Sequence, residues 1–107
     1  MKGFQLEFFT QQDRRHKGKQ LSNWLLDVAH SHGIRGATVF TGAIGYGHDR
    51  RFHSAHFFEL ADQPVEVTMV VSEEESDRLF EFLLQEGVHM FYVKLPVEFG
   101  KIGQADA

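Results

Sequence analysis

Apolar and polar residues alternate in "FQLEFF" (Phe4 to Phe9), which puts Phe4, Leu6 and Phe8 on one face and predicts a strand. The polar "TQQDRRHKGK" that follows predicts a loop. From Gln20 to His32 the period lengthens to that of a helix, with Leu21, Trp24, Leu25, Val28 and Ala29 on one side and Gly33 placed to stop it. "RGATVFTG" is rich in β-branched and aromatic residues and predicts a second strand, joined through "GAIGYGHDRR" to another extended stretch, "FHSAHFFEL". "PVEVTMVV" predicts a strand opened by Pro64, where a missing amide proton does least harm. In "SEEESDRLFEFLLQEG" a helix is signalled at both ends. Ser72 and Glu75 have capping-box spacing, glutamates gather at the positive end of the dipole, and Gly87 closes the segment. Its apolar stripe is Leu79, Phe80, Leu83 and Leu84. "HMFYVKLPVEF" predicts the last strand and "GKIGQADA" a frayed tail, so the expected division is a domain over residues 1–99 and a tail over 100–107.

This order predicts an α+β fold: a ferredoxin-like βαββαβ sandwich, with an antiparallel sheet, two helices on one of its faces and a long arm between the middle strands. Alternation assigns Phe4, Leu6, Phe8, Val39, Val67, Met69, Phe91 and Val93 to the helix-covered face. Gln5, Glu7, Phe9, Thr38, Phe40, Thr68, Val70, Met90 and Tyr92 then fall on the other. That second set holds several large apolar groups, and a patch of this kind marks an interface more often than a wetted surface. A homo-oligomer built through the open faces is the expected assembly.

Composition narrows the function. At 107 residues the chain is one domain, its 11 phenylalanines can fill a core, and with no cysteine it fits a reducing, cytoplasmic setting. A net charge of −4 argues against duplex nucleic acid as a partner, because such binding neutralises many phosphates with lysine and arginine. No apolar run approaches the roughly 20 residues of a membrane-spanning helix. The one dense basic cluster, Arg14 to Lys19, suits at most a small anion.

Candidate chemistry concentrates in "GAIGYGHDRR". Glycine lets backbone amides converge on an anion, and Gly42, Gly45 and Gly47 stand close in sequence to Arg50 and Arg51. The spacing matches neither a dinucleotide-binding fingerprint nor a P-loop, so a mobile connection and a ligand loop both remain open. His48, His53 and His56 raise the question of a divalent metal, although His53 and His56 point to opposite faces of a regular strand and match no zinc spacing. No serine lies in a nucleophile motif, and Glu73 to Glu75 form a solvated helix start, so no catalytic residue is nominated and a non-enzymatic role is expected.

The stretch from Asp13 to Val71 resembles the family numbered 190 among domains of unknown function, in the PII-like group. The likeness spans Gly3 to Val97 and is most specific in "GATVFTGAIGYG", then a basic residue, His53 and "SA". Gly36, Ala37, Thr38, Val39, Gly42, Gly45, Tyr46, Gly47, His53, Ser54 and Ala55 match, as do Lys19 and Leu21. The resemblance implies a homotrimer whose arm, the T-loop of PII-type regulators, covers Gly42 to Gln63 and contacts a target protein. It further implies a cleft between subunits for a small anionic effector, an adenine nucleotide foremost. The implied ligand-binding residues are Gly42, Gly45, Tyr46, Gly47 and Gly87, with Arg50, Arg51 and Lys19 for charge and His53 for orientation. Before the last strand the sequence departs from true PII proteins: in place of a glycine- and lysine-rich phosphate loop it has "QEGVHMF", with Gly87 its sole glycine. Some PII-like relatives bind metal, which keeps a divalent cation on His48, His53 and His56 as the alternative.

Overall fold

The chain runs β1 (Lys2–Gln11), β2 (Arg15–His16), β3 (Lys19–Gln20), α1 (Leu21–Ser31), β4 (Ala37–Thr41), β5 (Ile44–Tyr46), β6 (Phe52–Ser54), β7 (Pro64–Ser72), α2 (Glu73–Glu86) and β8 (Phe91–Glu98). The computed structural model describes residues 1–42, 44–46, 52–54 and 63–103, the two short segments as backbone. β4, β7, β1 and β8 form one antiparallel sheet in that order, with both helices on one face, as the ferredoxin-like expectation requires. No helix among the described residues is long and apolar enough to cross a membrane.

The core lies between the helices and the two central strands. Leu6 and Phe8 of β1 and Val67, Met69 and Val71 of β7 are buried against Leu21, Leu25 and Val28 of α1 and Leu79 and Leu83 of α2. Both predicted signals at the ends of α2 operate. Glu75 N–H donates to Ser72 Oγ at 3.2 Å and Ser72 N–H donates to Glu75 Oε1 at 2.8 Å. At the other end Gly87 adopts φ 70°, a left-handed conformation that only glycine enters freely. α1 starts at Leu21 without a side-chain cap; its first amide donates instead to the Arg14 carbonyl at 2.8 Å.

Two expectations need correction. The stretch "TQQDRRHKGK" is not simply a loop, because β1 continues to Gln11 and β2 and β3 then form a short hairpin. Lys17 at φ 50° and Gly18 at φ 80° give its turn the paired positive φ values of type I′, the geometry that matches strand twist.

The second correction concerns β8, whose faces are the reverse of those predicted. Phe8 stands opposite Tyr92 and Leu6 opposite Lys94, so Tyr92, Lys94 and Pro96 share the helix side. Ring contacts agree: Tyr92 lies 4.8 Å from Phe80 of α2, and Lys94 Nζ sits 4.2 Å above the Phe4 ring. Phe91, Val93, Leu95 and Val97 therefore face the other way, where Phe91 meets Phe9 at 5.7 Å. The more apolar alternation of an edge strand has been turned away from the helices, and a one-residue shift in phase moves every side chain across the sheet.

The open face consequently has two apolar flanks and a polar seam. One flank is the β8 row with Phe9; the other is Phe40 on the β4 edge, opposite Glu66, while Val70 stands apart on β7, opposite Gln5. Phe91 is 58% exposed, Phe40 55% and Leu95 44%. Between the flanks lie Gln5 and Glu7 of β1 and Glu66 and Thr68 of β7, tied along their own strands. Gln5 Nε2 donates to Glu7 Oε2 at 2.9 Å, and Thr68 Oγ1 donates to Glu66 Oε2 at 2.8 Å.

Candidate effector site

The last rung between β4 and β7 pairs Thr41 with Val65, and just beyond it the Gly42 amide donates to the Pro64 carbonyl at 2.8 Å. This bond forms the neck of the arm. A Cβ on residue 42 would stand 3.0 Å from Pro64 Cγ, tighter than ordinary packing, so any larger residue requires the proline ring to give way. The return strand is held from a second direction, where Gln12 N–H donates to the Gln63 carbonyl at 3.0 Å. Past the neck, β5 and β6 pair antiparallel and set Ile44 opposite Ser54, Gly45 opposite His53 and Tyr46 opposite Phe52. Two predicted site residues, Gly45 and His53, thus stand face to face in register. Gly47, Arg50, Arg51, His48 and His56 lie outside the described residues.

Lys19 and Gly87 are brought to the same region by the β2–β3 hairpin. Gln20 Nε2 donates to the Gln12 carbonyl at 3.0 Å and also to Gln12 Oε1, which joins the hairpin to the segment that holds the neck. At its tip, Lys17 Nζ reaches Glu86 Oε1 at 2.8 Å and His16 Nε2 reaches the same oxygen at 3.1 Å. His16 also stands edge-on to Trp24, with ring centroids 4.3 Å apart. A continuous set of contacts therefore runs from Gly42 and Gln63, through Gln12 and Gln20, across the hairpin to Glu86, the residue before Gly87.

The basic cluster is largely committed within the chain. Lys19 Nζ donates to Asp27 Oδ2 at 2.6 Å, Lys17 pairs with Glu86, and Arg15 Nη2 donates to the Gly18 carbonyl at 2.5 Å. An anion drawn to Lys19 must compete with Asp27, but that pair is well exposed and contributes little to stability. Gly87 donates its amide to the Leu84 carbonyl at 3.1 Å and so closes α2. Among the described residues no group of three or more histidine or carboxylate side chains is placed to hold a metal ion. A recess of about 590 Å³ opens at the far end of β1, where Lys2, Arg35 and Arg78 meet Glu73 and Glu74 beside the capped start of α2.

Glu86 is the contributor that sequence reasoning missed. A carboxylate in the last turn of a helix opposes the dipole, so its presence there was a signal that cations stand nearby. The Lys17 ammonium, then His16, hold its carboxyl below the usual carboxylate range. The sign follows from that depression. Docking of the hairpin is complete above the ordinary carboxyl pKa near 4.5 and is lost as pH falls through the lower folded value. Trp24, the single tryptophan, reports on it. We expect an acid transition in Trp24 fluorescence below pH 4.5 in the wild type, and its loss in Glu86→Gln.

An antiparallel sheet with both helices on one face and a hairpin arm at one end defines a PII-like, ferredoxin-like fold. Comparisons with known proteins agree. The model of the family DUF190, described as "Uncharacterized ACR, COG1993", matches residues 3–93, and the chain belongs to that family. A UPF0166 protein of Aquifex aeolicus (strain VF5) is 33% identical over 75 residues, which cover 70% of this chain and 71% of the relative. Among solved structures, CPII from Thiomonas intermedia K12, a nitrogen regulatory PII-like protein bound to ADP, AMP and bicarbonate, superposes with a TM-score of 0.69 at 19% identity. That match covers 94% of this chain and 91% of CPII. A Thermus thermophilus protein described as a PII-like signaling protein gives a TM-score of 0.63 at 16% identity, over 91% of this chain and 86% of its own.

Proposed function

We propose that this chain is a PII-like signalling protein that acts by binding. Three copies pack through their open sheet faces, a small anionic effector occupies the cleft between neighbours, and the arm over residues 42–63 presents the result to a target protein. The observation that carries this reading is the pair of unlike apolar flanks on the open face. A flank of Phe91, Val93, Leu95 and Phe9 along the β8 edge and Phe40 on the β4 edge suit a head-to-tail contact, in which each copy offers a different edge to each neighbour and the ring closes.

An adenine nucleotide is the effector we favour, since CPII, which shares this fold, was solved with ADP and AMP. In this chain the neck at Gly42 and the end of α2 at Gly87 would border the cleft, with Gly45, Tyr46, Gly47 and His53 on the arm side. Arg50, Arg51 and Lys19 would supply positive charge. The experiment is a thermal-shift series with ADP, AMP and ATP. A nucleotide at ~100 times its dissociation constant stabilises by about 2.7 kcal/mol, and Gly42→Val should remove the effect. Melting unchanged by every adenine and guanine nucleotide would count against the nucleotide reading.

A further inference from the structure

The polar seam gives the proposed assembly a dependence on protons. Glu7 and Glu66 sit half-buried on the open face, between the two apolar flanks that would draw copies together. Register fixes what surrounds them. Glu7 on β1 stands opposite Thr68 on β7 and Val93 on β8, while Glu66 on β7 stands opposite Phe9 on β1 and Phe40 on β4. Their same-face neighbours along and across the strands are Gln5, Val70, Thr38, Phe91 and Leu95. None of these groups is a cation, and Lys94 points to the helix side. Among the described residues the hydrogen-bond donor to each carboxylate is neutral: the Gln5 amide donates to Glu7 and the Thr68 hydroxyl to Glu66.

We infer that self-association through this face is proton-linked, tightening as the carboxyl groups of Glu7 and Glu66 take up protons. The inference rests on the assembly proposed above. Covering the face with further copies of itself removes water from both carboxylates and brings like charges from neighbouring copies closer, and both effects disfavour the ionised form. Association therefore binds protons, strengthens as pH falls and weakens as pH rises. Each proton taken up on assembly changes the association constant by up to about tenfold per pH unit. Burying carboxylates here makes the oligomer adjustable, which an apolar seam would not.

The test is a dilution series followed by sedimentation equilibrium at pH 7.5, 6.5 and 5.5, on the wild type and on Glu7→Gln/Glu66→Gln. This window lies above the range in which Glu86 titrates. All seven histidines are present in both proteins, so the difference between the two isolates the carboxylates. Wild-type association should tighten at least tenfold from pH 7.5 to 5.5, while the double variant stays equally tight throughout. Each single variant should retain part of the slope. Wild-type association that does not change with pH, or a double variant with the full wild-type slope, overturns the inference and leaves the assembly standing. Two proteins that remain single chains at every pH and concentration overturn both.

Discussion

Lysine at both Phe91 and Leu95 is expected to leave a folded chain that no longer self-associates. The two side chains project from β8 on the face away from the helices, and Phe91 packs at a tilt against Phe9 in the larger apolar flank. As substitutions on the exposed side of an edge strand they should cost the single chain little, on the order of 0.5 kcal/mol each. At a closed contact their effect is much larger, because truncating one well-buried interface anchor costs about 2 kcal/mol or more and a buried unpaired ammonium adds to that. Association should weaken by at least ~100-fold, read by light scattering, with circular dichroism unchanged. Leu84→Lys is the control. Leu84 is 81% exposed, more than either target, but it lies on α2 on the opposite side of the molecule, so its loss should not affect assembly. Equal losses in both variants would show that general surface hydrophobicity drives association.

Substituting Leu6 tests the other face of the same sheet and should do the reverse. Leu6 is fully buried beneath the helix layer on the central strand β1, one residue from Glu7 on the open side. Leu6→Ala removes three carbons from the core and leaves a cavity, which costs about 2–5 kcal/mol. In a domain of this size each kcal/mol lowers the melting temperature by roughly 4–8 °C, so an early and large thermal transition is expected. Because the side chain points away from the open face, the material that remains folded should associate as the wild type does. Stability and assembly are thus separable by residue parity along one strand.

How far the sequence revealed these faces depends on the strand. In β1 and β7 one alternation is clearly apolar and the other clearly mixed, and Leu6, Phe8, Val67 and Met69 all point where their spacing indicates. α2 was legible at both ends, since a capping box and a left-handed glycine are local signals that no distant contact has to supply. β8 misleads because it is apolar on both alternations. Phe91, Val93 and Leu95 look like core, whereas the aromatic and aliphatic parts of Tyr92 and Lys94 suffice to cover Phe80 and Phe4. The phase was set by pairing with β1, which local sequence does not encode.

The candidate site was legible in part, for a similar reason. Glycines at 42 and 87 stand out in sequence because each meets a backbone constraint, a close proline ring in one case and a positive φ in the other. The hairpin that links them was hidden in a polar stretch that looks like a loop. Its anchors, Glu86 with His16 and Lys17, are about 70 residues apart, too far for any local pattern to reveal.

Whether copies of this chain cover the open face of the sheet is tested most directly by a native mass spectrum of the freshly purified protein. A dominant species of three chains is predicted, reduced to single chains by lysine at Phe91 and Leu95. A wild-type spectrum of single chains alone at micromolar concentration would contradict it.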